Sequence, residues 1–223
     1  MFSAKLVKNV GMSIWSSFLL SVVAHFCAIN CNFATQKSLN EFMSLISNIL
    51  LMIVSPAIGW DRIGKLSIPP KIVQNQVLFP TLAVLALSSM SEIFFTGVSL
   101  TNALVDTIIE FAAYFFTFYI SSIIMNFYSP GESQDAKDRM DNMLMFAMEY
   151  ILLLSIIENL LPSDFSILKF LMLYVVIIIY SGLGYVNYKG KSIVFVGLAS
   201  ASLLLTPWLI MFILKLILPV TTE

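Results

Sequence analysis

The chain has 223 residues, of which 59% are hydrophobic and 11% are charged, and its mean hydropathy is +0.92. Soluble domains carry about 25% charged residues, so this composition excludes an ordinary soluble protein and indicates an integral membrane protein. The net charge of −1 provides neither the basic surface of a nucleic-acid-binding protein nor an acidic run for a cationic partner. We therefore expect the lipid bilayer, and no nucleic acid, as a partner.

The first 42 residues form an extension that contains a hydrophobic segment. Gly11 to Asn30 is apolar and follows Lys5 and Lys8. This pattern fits an additional transmembrane helix, the core of a signal peptide, or an extension upstream of the main domain. No A-x-A-like site follows the segment, so cleavage is the least favoured of the three interpretations.

A second apolar segment, from Glu41 to Gly59, is short for a membrane span and contains several polar residues before Pro56. We predict an amphipathic helix over 41–57 that lies in the membrane interface, with Trp60 as an anchor at headgroup depth. A short spanning helix is the alternative that the charge pattern also allows. In both interpretations the segment precedes the five long apolar runs.

Five long apolar runs fill the rest of the chain. Crossing about 30 Å of hydrocarbon takes about 20 helical residues, and each run is long enough. The runs lack the two-residue alternation of a β-barrel, and a spanning segment must satisfy its own backbone hydrogen bonds, so helices are predicted. The fold class is therefore an all-α integral membrane protein with a five-helix transmembrane bundle. The predicted spans are about 76–95, 102–125, 142–161, 166–186 and 193–218.

Basic residues alternate between the two sides of these spans. Short loops with Lys and Arg face the cytoplasm. The pattern predicts that the segment before Gln76 and the loops 126–141 and 187–192 are cytoplasmic, and that the carboxyl terminus is outside. The basic residues that support this orientation are Arg62, Lys65, Lys71, Lys137, Arg139, Lys189 and Lys191.

The second span carries a polar stripe on an otherwise apolar helix. At 100° per residue the stripe is about 100° wide. Its two carboxyl groups are one turn apart and should face protein or water rather than lipid. Lys169 and Lys215 lie near span ends, where their long side chains can reach the headgroups. The residues of the stripe are Asn102, Asp106, Glu110, Thr117 and Ser121, with Tyr114 at its edge.

Two interpretations of this stripe stay open. In the first, it handles a proton or a cation, with Glu149 of the third span as a partner and Tyr174, Ser181 and Tyr185 as hydrogen-bond donors. In the second, which we prefer, Asp106 lies near the outer headgroups, Glu110 joins neighbouring helices, and the tyrosines serve aromatic packing or an interfacial belt. The candidate intramembrane polar site comprises Asp106, Glu110, Glu149, Tyr174 and Tyr185.

Catalytic motifs are missing from the five spans. The single histidine, His25, lies in the leading segment, which excludes a Ser/His dyad in the main domain. The sequence has no H-E-x-x-H, no phosphate-binding glycine loop and no C-x-x-C. Cys27 and Cys31 have no further metal ligand nearby. We therefore expect no enzyme, no catalytic residue, no cofactor and no metal; a membrane enzyme that uses only Glu110 and Glu149 is the weaker alternative.

Three short motifs resemble one membrane protein family. Residues 55–63 read Ser-Pro-Ala-Ile-Gly-Trp-Asp-Arg-Ile, the first span opens with Leu-Phe-Pro at 78–80, and the last span contains Thr206-Pro207. Together with the five-span layout, they resemble the bacterial branch of the Yip family, named after the Ypt/Rab-interacting proteins. The Asp-Leu-Tyr-Gly-Pro signature of the eukaryotic branch is absent, so partnership with small GTPases is not carried over.

The resemblance covers 43–218 and leaves the first 42 residues as an extension. It implies a Yip-type membrane domain in the bacterial inner (cytoplasmic) membrane, with no settled reaction. From it, and from the missing catalytic motifs, we expect a non-enzymatic protein that organises a membrane complex or an envelope or trafficking process. Its partners would be other membrane proteins or further copies of itself. The alternative is a small proton- or cation-coupled transporter or channel that uses the buried carboxylates of the second and third spans.

Overall fold

The computed structural model describes residues 36–91, 93, 97–128, 133–161, 166–187 and 192–218. Every regular element within these ranges is helical, and five of the described helices are long and apolar enough to cross a membrane. This confirms the all-α, multi-pass membrane class. The predicted hydrophobic segment between Gly11 and Asn30 lies outside the described residues, as do His25, Cys27 and Cys31.

Seven helices follow one another along the described chain, and the last five are the candidate spans. Helix α6 contains a 3₁₀ turn at Met172–Tyr174. The helices are α1 (Gln36–Val54), α2 (Pro56–Leu66), α3 (Pro70–Ser89), α4 (Leu100–Tyr128), α5 (Gln134–Leu160), α6 (Ile167–Val186) and α7 (Ser192–Ile217).

The first span begins and ends earlier than predicted, at Pro70–Ser89 rather than 76–95. Pro70 occupies the first turn of the helix, where its missing N–H is not needed and its fixed φ favours helix entry. A hydropathy profile does not detect this beginning of the helix, because Lys71 and Gln74 in its first turns are polar. Further along, Gln74–Leu78 forms a wide π-helical turn, which accommodates the backbone hydrogen bond that Pro80 cannot donate.

Helix α5 also begins earlier than the predicted 142, at Gln134. The hydroxyl of Ser133 accepts a hydrogen bond from the N–H of Ala136 at 3.3 Å and so caps the helix. Asp135 in the first turn is favoured by the helix dipole. The loop predicted over 126–141 is therefore shorter, because its second half is helical.

Helix α5 lies at the centre of the bundle and packs against α3, α4, α6 and α7. Every residue from 142 to 152 is buried, so polar side chains in this stretch face protein and not lipid. Helix α7 packs along α4, with the small side chains of Ala199, Ser200 and Ser202 buried. Small residues of this kind allow close approach of helices in membranes.

Helices α1 and α2 meet at a sharp corner at Ser55 and Pro56. At this corner a Cβ on Gly59 would lie 2.5 Å from the Cα of Met52, so only glycine fits there. Helix α1 covers Gln36–Val54, so it begins five residues earlier than the predicted helix over 41–57 and ends three residues earlier, because Pro56 starts a separate helix. The interfacial placement of this segment stays a prediction.

Trp60 is enclosed by protein rather than exposed to lipid headgroups, as an interfacial anchor would be. Its side chain is 3% exposed, and its indole N–H donates to the carbonyl of Ile178 at 2.8 Å. The ring stacks on Tyr185 and meets Phe146 edge-on. Gly182 leaves room for the indole ring, since a Cβ at this position would lie 2.9 Å from it. Trp60 therefore locks α2 onto α5 and α6.

Candidate functional site

Glu110 on α4 is bound by donors from two other helices. The hydroxyl of Ser89, at the end of α3, donates to its carboxylate. The side-chain amide of Asn159, near the end of α5, lies 3.3 Å and 3.1 Å from the two carboxylate oxygens. The same amide nitrogen lies 3.2 Å from the hydroxyl oxygens of Ser88 and Ser89, so its two N–H groups are shared among these acceptors. We call Ser88, Ser89, Glu110 and Asn159 the Glu110 network.

The network exists because polar residues end two apolar helices at the same level of the bundle. Ser88 and Ser89 close α3, and Asn159 lies one residue before the end of α5. The hydroxyl of Ser91 donates to the backbone carbonyl of Asn159, which ties the chain after α3 to α5. One carboxylate thus joins α3, α4 and α5, the arrangement expected of a polar packing contact in a membrane.

Two ion pairs surround the network. Lys215 of α7 lies 3.0 Å from Asp106 of α4, and Lys169 of α6 lies 3.3 Å from Glu158 of α5. The two lysines therefore reach carboxylates of neighbouring helices, which the sequence did not predict. Together with the Glu110 network, these pairs link all five candidate spans at one end of the bundle.

Tyr114 lies one turn beyond Glu110 on α4 and is also used within the protein. Its hydroxyl shares a 2.7 Å hydrogen bond with the hydroxyl of Ser155 on α5, and this contact is buried. Thr117, the next residue of the stripe, donates from its hydroxyl to the backbone carbonyl of Ala113 at 2.7 Å. The polar stripe of the second span is thus directed into the bundle, as its spacing indicated.

Glu149 differs from these residues because neither of its carboxylate oxygens has a well-formed hydrogen bond within the described chain. The residue is 2% exposed, and the hydroxyl of Thr81 on α3 is a weak donor to its carboxylate. Ten residues separate Glu149 from Asn159, which is about 15 Å of helix. The structure therefore does not bring Glu149 to Glu110, and the two carboxylates form separate sites.

The two tyrosines of the candidate site take part in aromatic packing. Tyr174 lies against Tyr150, with ring centroids 5.7 Å apart. Tyr185 stacks on Trp60 and accepts a hydrogen bond from the amide of Asn142 at 3.3 Å. Tyr185 lies at the opposite end of the bundle from Glu110. Neither ring supports the interpretation that these tyrosines donate to the acids.

Sequence reasoning missed the partners of Glu110, although a signal was present. Ser88, Ser89 and Asn159 are the polar residues that close two apolar runs. Because successive spans alternate in direction, the ends of the first and third spans lie beside the start of the second. That placement would have matched these residues with Glu110.

Comparisons with protein-family models, with curated proteins and with solved structures give no match for this chain. The Yip-type membership of 43–218 therefore stays a prediction. In the part of the chain that the structure describes, no three His, Cys, Asp or Glu side chains are grouped as metal ligands would be.

Proposed function

We propose that the chain is a non-enzymatic membrane protein that organises a membrane complex, with a Yip-type domain in the bacterial inner membrane. The observation that supports this proposal most is that Glu110 already has hydrogen-bond donors within the protein. Its carboxylate oxygens are bound by Ser89 and Asn159. A carboxylate that carries a proton or ion through a membrane must exchange partners, whereas this one holds three helices together.

The basic residues of the loops support one orientation of the bundle in the membrane. The start of α3, the end of α6 and the start of α5 face the cytoplasm, and the Glu110 network lies on the outer side. The outward faces of the spans carry large apolar side chains for contact with lipid and with other membrane proteins. Examples are Ile123, Phe127, Phe170 and Ile193, all of which are exposed.

Partner capture from native membranes tests this proposal. The tagged full-length chain is extracted with its surrounding lipid in polymer nanodiscs, and co-isolated proteins are quantified by mass spectrometry. We expect specific partners, or further copies of the chain, in constant ratio and at an unchanged level in Glu110→Gln. Isolation of the chain alone, with no enrichment over an unrelated membrane protein, would contradict the role as an organiser.

A second candidate function is a small proton- or cation-coupled transporter or channel, and Glu149 is the residue that favours it. An ionised carboxylate buried with only a weak donor is costly. Glu149 lies near the middle of the innermost helix, and ionisable residues at such positions commonly take part in transport. This candidate predicts ion flux that Glu149→Gln abolishes and that Glu110→Gln leaves intact, measured with the protein reconstituted in liposomes.

A further inference from the structure

A cleft of about 390 Å³ opens between α2, α5 and α6, at the end of the bundle opposite the Glu110 network. Its volume lies in the range of pockets that hold small ligands, about 300–1,000 Å³. The stacked rings of Trp60 and Tyr185 contribute to its lining. The indole N–H of Trp60 is already bound by Ile178, so this part of the lining is apolar.

The sequence builds this space with small residues on two facing helices. Ala57 and Gly64 lie on one face of α2, and Gly184 lies on the facing side of α6. A Cβ on Gly184 would meet no atom within 4 Å, and one on Gly64 would meet Tyr185 at 3.4 Å. The cleft is therefore open because its walls lack side chains, and a larger residue at Gly184 would fill it.

Two cations border the cleft. Lys65 of α2 is paired with Asp61 at 2.6 Å, and Arg139 of α5 is paired with Asp135 at 2.8 Å. Both are exposed pairs between residues four apart on one helix, which contribute little to stability. The cations are therefore free to turn toward a ligand. Arg139 is also held at the cleft by the carbonyl of Tyr185, 3.5 Å from its guanidinium.

We propose that this cleft binds a singly charged phosphate ester, either the phosphodiester of a phospholipid headgroup or a soluble ester. Lys65 and Arg139 supply two positive charges to the lining and Asp61 supplies one negative charge, which leaves one net positive charge on the lining itself. Asp135, the partner of Arg139, lies outside the lining and its side chain is 74% exposed, so a phosphate that enters the cleft replaces it. The guanidinium fork of Arg139 matches two phosphate oxygens, and Lys65 adds a point charge. The cleft lies where α5 begins and α6 ends, and the ends of the proposed spans lie near lipid headgroups.

Native mass spectrometry of the full chain in detergent tests this site, with phosphatidylglycerol as the probe. The double variant Lys65→Gln/Arg139→Gln removes the two cations of the cleft. Its control, Arg62→Gln/Lys137→Gln, removes two positive charges from the same helices outside the cleft. We expect affinity for phosphatidylglycerol to fall about tenfold or more in the first variant and by less than about twofold in the control. Equal losses in both would overturn the proposal.

A second pair of variants tests the space and leaves the charges unchanged. Gly184→Leu fills the cleft, whereas Gly197→Leu adds the same side chain on α7, where a Cβ also meets nothing within 4 Å. We expect the first variant to lose the bound lipid and the second to retain it, at similar melting temperatures. Wild-type binding by Gly184→Leu would overturn the proposal.

Addition of glycerophosphoglycerol, the same singly charged phosphodiester without acyl chains, distinguishes the two sources of phosphate. If the chain binds phosphatidylglycerol but not glycerophosphoglycerol, and Gly184→Leu abolishes that binding, the ligand is a lipid headgroup. If glycerophosphoglycerol itself binds, and Gly184→Leu abolishes its binding, the site takes a soluble ester. Binding of either compound that is independent of Gly184 and Arg139 would overturn the site.

Discussion

Where α3 and α5 end, Glu110 is held by a hydroxyl and an amide from neighbouring helices, whereas at the opposite end Trp60 is enclosed by Phe146, Tyr185 and Gly182. Hydrogen bonds between membrane helices contribute about 0.6 kcal/mol on average, because lipid-exposed chains find other partners. Removal of a large buried ring costs about 3–5 kcal/mol. From these two energies we infer that aromatic packing dominates stability here, while the polar contacts specify which helix ends meet.

The largest effect is expected at the aromatic end. Trp60→Ala should lower the free energy of unfolding by about 3–5 kcal/mol, since it empties the space between three helices and leaves the carbonyl of Ile178 without the indole donor. Trp208→Ala is the matched control, because Trp208 is 62% exposed and its loss should change stability by less than about 0.5 kcal/mol. Denaturant unfolding in detergent measures both. Equal losses would contradict the comparison between the two ends.

A smaller loss is expected when the space for Trp60 is reduced. Gly182→Ala places a Cβ 2.9 Å from the indole, and overpacking of this kind costs about 1–3 kcal/mol. Gly184→Ala, two residues along the same helix, meets no atom within 4 Å and should be neutral or gain about 0.5–1 kcal/mol from the better helix former. Thermal unfolding of the two variants decides the point, and the same response in both would show that Gly182 is not a packing contact.

At the polar end, Asn159→Ala should cost about 0.6–1.7 kcal/mol, because it removes the amide that joins α5 to Glu110 and to α3. A double-mutant cycle with Glu110→Gln isolates the shared interaction. We expect a coupling energy of about the same size, measured by denaturant unfolding. Additive effects would show that the contact between Asn159 and Glu110 does not hold the helices.

The smallest effect is expected from the two ion pairs. Lys215→Gln and Lys169→Gln should each lower stability by no more than about 1 kcal/mol, since both lysines are partly exposed to solvent or headgroups. Unfolding at low and high salt measures the contribution of charge, which should shrink as salt rises. A loss larger than that of Asn159→Ala would reverse the order of importance at this end.

Much of the bundle is predictable because hydropathy and helix length report directly on lipid contact. The second, fourth and fifth predicted spans agree within three residues with α4, α6 and α7. The polar stripe of α4 is directed inward, as its spacing indicates. The start of α3 was missed because Pro70 and a polar first turn precede the apolar run. The start of α5 was missed because a cap at Ser133 extends a helix through charged residues.

The candidate site was predictable only in part. The spacing of Asp106 and Glu110 identified an inward face, but their partners lie on other helices and depend on which span ends meet. Trp60 was misplaced because tryptophan near a span end is usually interfacial, and the vacant space at Gly182 that receives it is a feature of tertiary structure. Glu149 was chosen from its mid-span position, and the surroundings of its carboxylate, with Thr81 as a weak donor, became visible only after α3 was placed beside it.

The proposal that Glu110 is a packing contact in a protein without transport activity is tested by ion flux through the reconstituted protein. Wild type, Glu110→Gln and Glu149→Gln are inserted in liposomes, and proton, sodium and potassium flux is followed under imposed gradients and potentials. We expect no flux above protein-free liposomes for any of the three. Flux in the wild type that Glu149→Gln abolishes would contradict the proposed non-transport role and establish a transport pathway through α5.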